Sequence, residues 1–272
     1  MTIVNTNTKA LLAQQAMTVN QRELTHAMAQ LATGKRINSA ADDAAGSAIS
    51  SRMAMQIASL GQSVRNANDG ISMLQTADGA AQGVTDILHR MKELSVQYLN
   101  GTNGTTEKTA IDKEFANLTT EIGNIISSTT WNNIQVLAAA GAGSRTFQVG
   151  AASTDTVTAT FTDFAAAGKP IKIAQALTSV TDATTLDKID SALGAVNDIR
   201  AGWGAAISQL EHAADNSANV SMNLAASQSR ILDADYAQST ADLARAQIVQ
   251  QAGTAMLSQA NQMPYMVMAL LR

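Results

Sequence analysis

The chain contains no cysteine and two prolines, with aromatic residues at 3% and charged residues at 15%. The usual charged share is about 25%. Lack of cysteine removes disulfides, thiolate catalysis and cysteine-ligated zinc together, and leaves the redox compartment open. A formal net charge of -4 and a pI near 5.3 supply no basic field for a phosphate backbone, so nucleic acid is not an expected partner. Scarce proline and aromatics argue against a compact β protein and for long helices. No apolar run approaches the ~20 residues of a membrane span, so no membrane association is expected. Met1 to Lys9 also lacks the ~7–15-residue apolar core of a cleaved secretory signal. The plain reading is a soluble cytoplasmic chain, although export by an uncleaved N-terminal route would leave no such mark. A length of 272 residues suits one large domain or two small ones.

What the chain does have is heptads. Apolar residues run Met53, Ile57, Leu60, Val64, Ala67, Ile71, Leu74 in steps of four and three, the seam of a coiled coil. A step of three stands where four is due at Leu74 to Ala77, and the seam resumes as Ala80, Val84, Ile87, Met91, Leu94, Tyr98. Such a break predicts local overwinding without ending the helix. Asn100-Gly101 predicts its C-cap, giving one helix of about 50 residues. A second seam reads Ile111, Phe115, Leu118, Ile122, Ile125. A third runs from Leu186 through Ile189, Leu193, Val196, Ile199, Trp203, Ala206, Leu210 and Ala213, then weakens through Ser217, Val220 and Leu224. Three seams in one chain predict an elongated helical bundle, mainly α.

Between the second and third seams the texture turns β-branched. Ile134–Leu137, Thr146–Val149 and Thr156–Phe161 predict short strands, punctuated by Gly141, Gly143 and Gly150. The patch, about 131–180, is too small for a core of its own and should lean on the bundle.

The two ends share an odd composition. From Met1 to Gln21 the only charged side chain is Lys9, and from Ala246 to Leu271 there is none, yet both stretches are rich in Gln, Asn and Thr. A solvated helix carries Lys and Glu outside, and a membrane helix rejects so many amides. Ile3, Ala10, Met17, Leu24 and Leu31 recur every seven residues; so do Val249, Met256, Met263 and Leu270, interleaved with Gly253, Ala260 and Val267. These two seams can pair with each other or with copies of themselves, and the uncharged outer faces favour assembly.

Nothing defends an enzyme or a cofactor. His26, His89 and His212 are scattered, with no His-Glu-x-x-His pair. Asp42-Asp43 are adjacent and so do not face each other on a helix, which favours capping over a shared-proton dyad. Gly141-Ala142-Gly143 lacks the strand-turn-helix setting of a phosphate loop.

Four blocks resemble bacterial flagellin: Arg36–Ser50 (RINSAADDAAGSAIS), Val64–Ala80 (VRNANDGISMLQTADGA), Ser229–Ala237 (SRILDADYA) and Leu243–Asn261 (LARAQIVQQAGTAMLSQAN). The chain ends Leu270-Leu271-Arg272, similar to many members, and the resemblance covers about 1–137 and 185–272. It implies terminal helices at 1–43 and 231–272 forming a filament core, and an inner rod at 44–230 with a small β-hairpin region. With so few residues between Trp131 and Thr181, outer domains are expected to be missing. Trp131-Asn132-Asn133 stands where the family usually has Phe-Asn-Gly, and Asn tolerates the positive φ of such a turn. The Met-rich tail Met263–Met268 is a departure from the family, with Pro264 a point where a helix can end.

The resemblance further implies a secreted subunit that polymerises with itself into the flagellar filament for swimming. A hook–filament junction protein of related sequence is the alternative. Its expected partners are a flagellar export chaperone holding about 229–272, type III export, a filament cap and junction proteins. Arg90, Leu94 and Glu114 are similar to the patch read by the toll-like flagellin receptor of host innate immunity. Gln30–Ser50 resembles the epitope sensed by plant receptors. Leu94 also fits the seam, which makes packing its first duty.

Overall fold

The structure, a computed structural model, describes residues 6–138, 141–164, 166, 179–180 and 184–270, with side chains up to residue 262. Five helices dominate: α1 (Thr8–Thr33), α2 (Ala44–Leu99), α3 (Thr105–Ser128), α4 (Thr184–Leu232) and α5 (Tyr236–Leu270). Four short strands, β1 (Thr130–Trp131), β2 (Ile134–Gln135), β3 (Gly143–Gln148) and β4 (Thr156–Phe161), lie between α3 and α4. The chain is mainly α with a small antiparallel β region, as its composition predicts. It divides into two compact units, residues 1–55 with 223–272, and residues 56–222.

In the second unit, α2, α3 and α4 bury their seams in one core. Leu74, Leu88 and Met91 of α2 meet Phe115 and Ile122 of α3 and Ile189 and Trp203 of α4. One correction applies to the α2 seam. Its buried line runs Gly46, Ser50, Met53, Ile57, Leu60, Ser63, Ala67, Gly70, Leu74, Ala77, Ala81, Val84, Leu88, Met91, Ser95, with Met53 and Ile57 half-buried. The steps alternate between three and four except at Ile57–Leu60–Ser63, where two threes follow each other, so the short step stands there and not at Leu74–Ala77. The inward position is Ala81 rather than Ala80. Ile71 and Ile87, counted in the apolar seam, flank this line half-buried. Small residues occupy the line because neighbours approach there: a Cβ on Gly70 would stand 3.0 Å from the Phe147 ring and 3.1 Å from Leu210. On α4 the weakening seam ends as expected, with Val220 exposed.

A second correction concerns the end of α2. Asn100-Gly101 does not form a left-handed glycine cap, since Gly34 and Gly143 are the positive-φ glycines among the described residues. Instead the Gln97 carbonyl accepts from the Asn103 side-chain amide and the Asn100 N–H.

The strands form where the β-branched texture predicts. Asn132 and Asn133 both take positive φ (47° and 64°), so the turn joining β1 to β2 survives without the usual glycine. β3 and β4 pair antiparallel from Gly143↔Phe161 to Gln148↔Thr156. As expected, this hairpin leans on the helices. Val149, Ala159 and Phe161 belong to the helical core, Trp203 Nε1 donates to the Thr160 carbonyl at 3.0 Å, and Ser217 Oγ donates to that of Val149. Asp78 on α2 and Arg200 on α4 close an ion pair at 2.7 Å.

Candidate assembly surface

Residues 1–55 and 223–272 form a unit built on the pairing of α1 with α5. Asn7 caps the start of α1, its Oδ1 accepting from the Ala10 N–H at 3.1 Å. Gly34 ends it at φ 69°, with its N–H on the Gln30 carbonyl. That glycine, standing just past the last heptad residue Leu31, is the sequence signal for the end of α1. Beyond it, the backbone at Lys35 pairs antiparallel with that at Asp233, Arg36 N–H donates to the Leu232 carbonyl at 2.7 Å, and Ala234 N–H donates to that of Gly34. The linkers after α1 and after α4 are therefore stitched together.

The inner line of α1 is Ala10, Ala13, Met17, Asn20, Leu24, Ala27, Leu31, and that of α5 is Ala246, Gln250, Gly253, Leu257, Ala260. Ala10, Met17, Leu24 and Leu31 of the predicted seam lie on this line. Gly253 and Ala260 do too, and a Cβ on Gly253 would come within 3.1 Å of Met17 Cγ. The amides find their use here. Asn20 Nδ2 donates to the Ala246 carbonyl at 2.9 Å, Asn7 Nδ2 to that of Ala260 at 2.8 Å, and Gln250 Nε2 to Gln21 Oε1 at 3.0 Å.

Val249 and Met256 do not join that line. They are exposed on α5, Met256 by 66%, and face the same groove as Leu12, which is 70% exposed on α1. The groove encloses about 660 Å³ and is lined also by Ala16, Met17 and Gly253. A second depression of about 950 Å³ shares Leu12, Ala16 and Val249 and continues to Val19, Arg22, Glu23 and Arg245. Leu12 and Val19 were missed in the sequence, though their seven-residue spacing carries the same signal as the predicted seam. Ile3 lies outside the described residues. Met263, Val267 and Leu270 lie on α5, which continues through Pro264 to Leu270, but their side chains are outside the described set.

Asp42 and Asp43 are capping groups, as their adjacency predicts. Asp42 Oδ2 accepts from the N–H groups of Asn38 and Ser39, both at 2.9 Å, and its Oδ1 stands 3.4 Å from His26 Nε2. The bonds from Ser39 and then Asn38 hold its carboxyl below its ordinary pKa. Asp43 Oδ1 accepts from Gly46 N–H and starts α2. In the other unit, Arg90 on α2 pairs with Glu114 on α3 at 2.8 Å and with Glu93 at 3.1 Å. Leu94, one turn on, is only 1% exposed and packs in the core. Among the described residues no group of His, Asp and Glu could hold a metal ion, and no helix is long and apolar enough to cross a membrane.

Long helices, uncharged paired ends and an exposed apolar groove define a helical structural protein. Residues 4–142 match the bacterial flagellin N-terminal helical region and residues 186–271 match the bacterial flagellin C-terminal helical region. The chain is 42% identical to a flagellin of Halalkalibacterium halodurans over 99% of this chain and all of that one. It is 37% identical to a flagellin of Xenorhabdus nematophila over 99% of both chains. The crystal structure of Bacillus cereus flagellin is 33% identical, covers 56% of this chain and 88% of that one, and superposes with a TM-score of 0.49. The chain belongs to the bacterial flagellin family, whose members are structural proteins rather than enzymes.

Proposed function

We propose that this chain is the repeating subunit of an extracellular flagellar filament and assembles with copies of itself for swimming motility. The carrying observation is the outer face of the α1/α5 pair. Leu12, Val19, Val249 and Met256 are exposed along it, after Met17, Leu24, Gly253 and Ala260 have been used within the pair. Apolar patches of this kind mark interaction surfaces. Around Leu12, Val249 and Met256 Lys9 is the charged lining residue, so copies stacking there bury few ions. In this reading residues 1–43 and 231–272 form the filament core and residues 44–230 the inner rod, with no outer domains.

The flagellar partners follow from the same surface. An export chaperone covers about 229–272 before type III export, and cap and junction proteins hold the growing ends. A host receptor reading the Arg90 patch would contact Arg90 and Glu114, with Leu94 supporting them from the core. Mixing purified protein with short filament seeds and imaging by electron microscopy tests the proposal. Long filaments grown from this protein alone are expected; a chain that only caps seeds without elongating them is a junction protein instead.

A further inference from the structure

We propose that Met256 is an oxidation site that controls whether a subunit can assemble; the inference rests on the assembly surface proposed above. Met256 is 66% exposed on α5 and lines the groove with Leu12, Val249 and Gly253, Lys9 being the charged residue of that lining. Met73 and Met91, by contrast, are buried in the other unit at 5% and 0%. Peroxides reach an exposed thioether readily. The sulfur lone pair attacks one peroxide oxygen, the S–O bond forms as the O–O bond breaks, and the displaced hydroxide takes the proton of the transferred oxygen and leaves as water. Sulfur is oxidised by two electrons and the peroxide is reduced by two. The product is a polar, chiral sulfoxide with a strong hydrogen-bond acceptor and no donor.

In a free subunit that acceptor faces water and costs little. When a second copy closes over the groove, the sulfoxide exchanges its water for a mainly apolar lining at Leu12, Ala16 and Val249, in which Lys9 and Gln259 are the side chains that carry donors. Oxidation at this one position therefore selects against incorporation. A Met256 already covered in a filament is shielded from peroxide. Met55 and Met222 are exposed to the same degree, 65% and 64%, but do not line the groove. They oxidise alongside Met256 without the same effect.

Partial oxidation of the full-length subunit with hydrogen peroxide, followed by seeded growth, tests this. Filament and supernatant are separated and sulfoxide at each methionine is measured by peptide mass spectrometry. Sulfoxide at Met256 is expected to be depleted in filament by about tenfold or more, the factor set by burying one unsatisfied acceptor. Sulfoxide at Met55 and Met222 should divide evenly. Treatment with methionine sulfoxide reductases for both epimers should return the supernatant pool to growth. Met256→Leu should grow filaments after a peroxide dose that stops the unsubstituted chain; if that variant does not polymerise, the partition measurement decides alone. Equal Met256 sulfoxide in both fractions, or no oxidation at Met256, overturns the inference. Failure of untreated protein to form any filament overturns the assembly reading beneath it.

Discussion

Asp43 and Gly46 act together at the start of α2. The carboxylate of Asp43 accepts from the Gly46 N–H, and a Cβ on Gly46 would lie 2.4 Å from Asp43 Oδ2 and 2.6 Å from Ile37 Cδ1. Asp43→Ala is expected to cost about 1 kcal/mol through the lost cap, read as a lower midpoint in urea unfolding. Gly46→Ala should cost at least as much, because the new methyl displaces the cap and Ile37 at once; an unchanged midpoint would show that the loop gives way freely. Asp42 carries a pH dependence. Its folded-state pKa lies below the unfolded one, so its contribution is present above the unfolded value and is lost as pH falls through the folded value. Acid titration followed by NMR should show the Asn38 and Ser39 amides shifting together below the ordinary carboxyl range. In Asp42→Asn that common transition should vanish.

At the scale of the element, Leu88 is fully buried on the continuous inner line of α2. Leu88→Ala is expected to destabilise the core by about 2–5 kcal/mol, measured by thermal unfolding. The matching substitution at exposed Val96 should change little. The long helices were legible because Leu, Ile, Met and Val recur with the heptad period. The exact buried line was not, because five of its positions are Gly46, Ser50, Ser63, Gly70 and Ser95, which an apolar count passes over. Only a neighbour's approach, such as Phe147 over Gly70, gives such positions their meaning. The ends show the same division. Met17 and Leu24 of the seven-residue period lie on the buried line of α1, but one sequence cannot say which of two interleaved α5 lines faces α1. The structure resolves it through residue size, giving Gly253 and Ala260 the close contact and leaving Val249 and Met256 outside.

For the molecule as a whole, the two units differ in how much they bury. The core of residues 56–222 holds Trp203 against Phe161 and Phe164, with ring centroids 6.1 and 6.2 Å away, and a set of buried Leu, Ile and Met. Along α1, by contrast, only Asn20, Leu24 and Ala27 are buried. Ordering each backbone residue costs ~1–2 kcal/mol, so the α1/α5 pair gains little margin by itself and gains more when copies cover its outer face. Terminal amides are therefore expected to exchange quickly with deuterium in the free subunit and slowly in filament. Slow exchange in both would mean the pair is stable alone. Removing Ala246–Arg272 sharpens the contrast. The truncation deletes Val249, Gly253, Met256 and Ala260, and with them one wall of the groove and the whole α5 line facing α1. It leaves Trp131 and Trp203 and the α2, α3 and α4 core untouched. The truncated chain should keep most of its helical circular dichroism and its tryptophan emission, with no elongation of seeds. Filaments grown from it would place the assembly surface elsewhere, and loss of the tryptophan signal would show that the core depends on the ends.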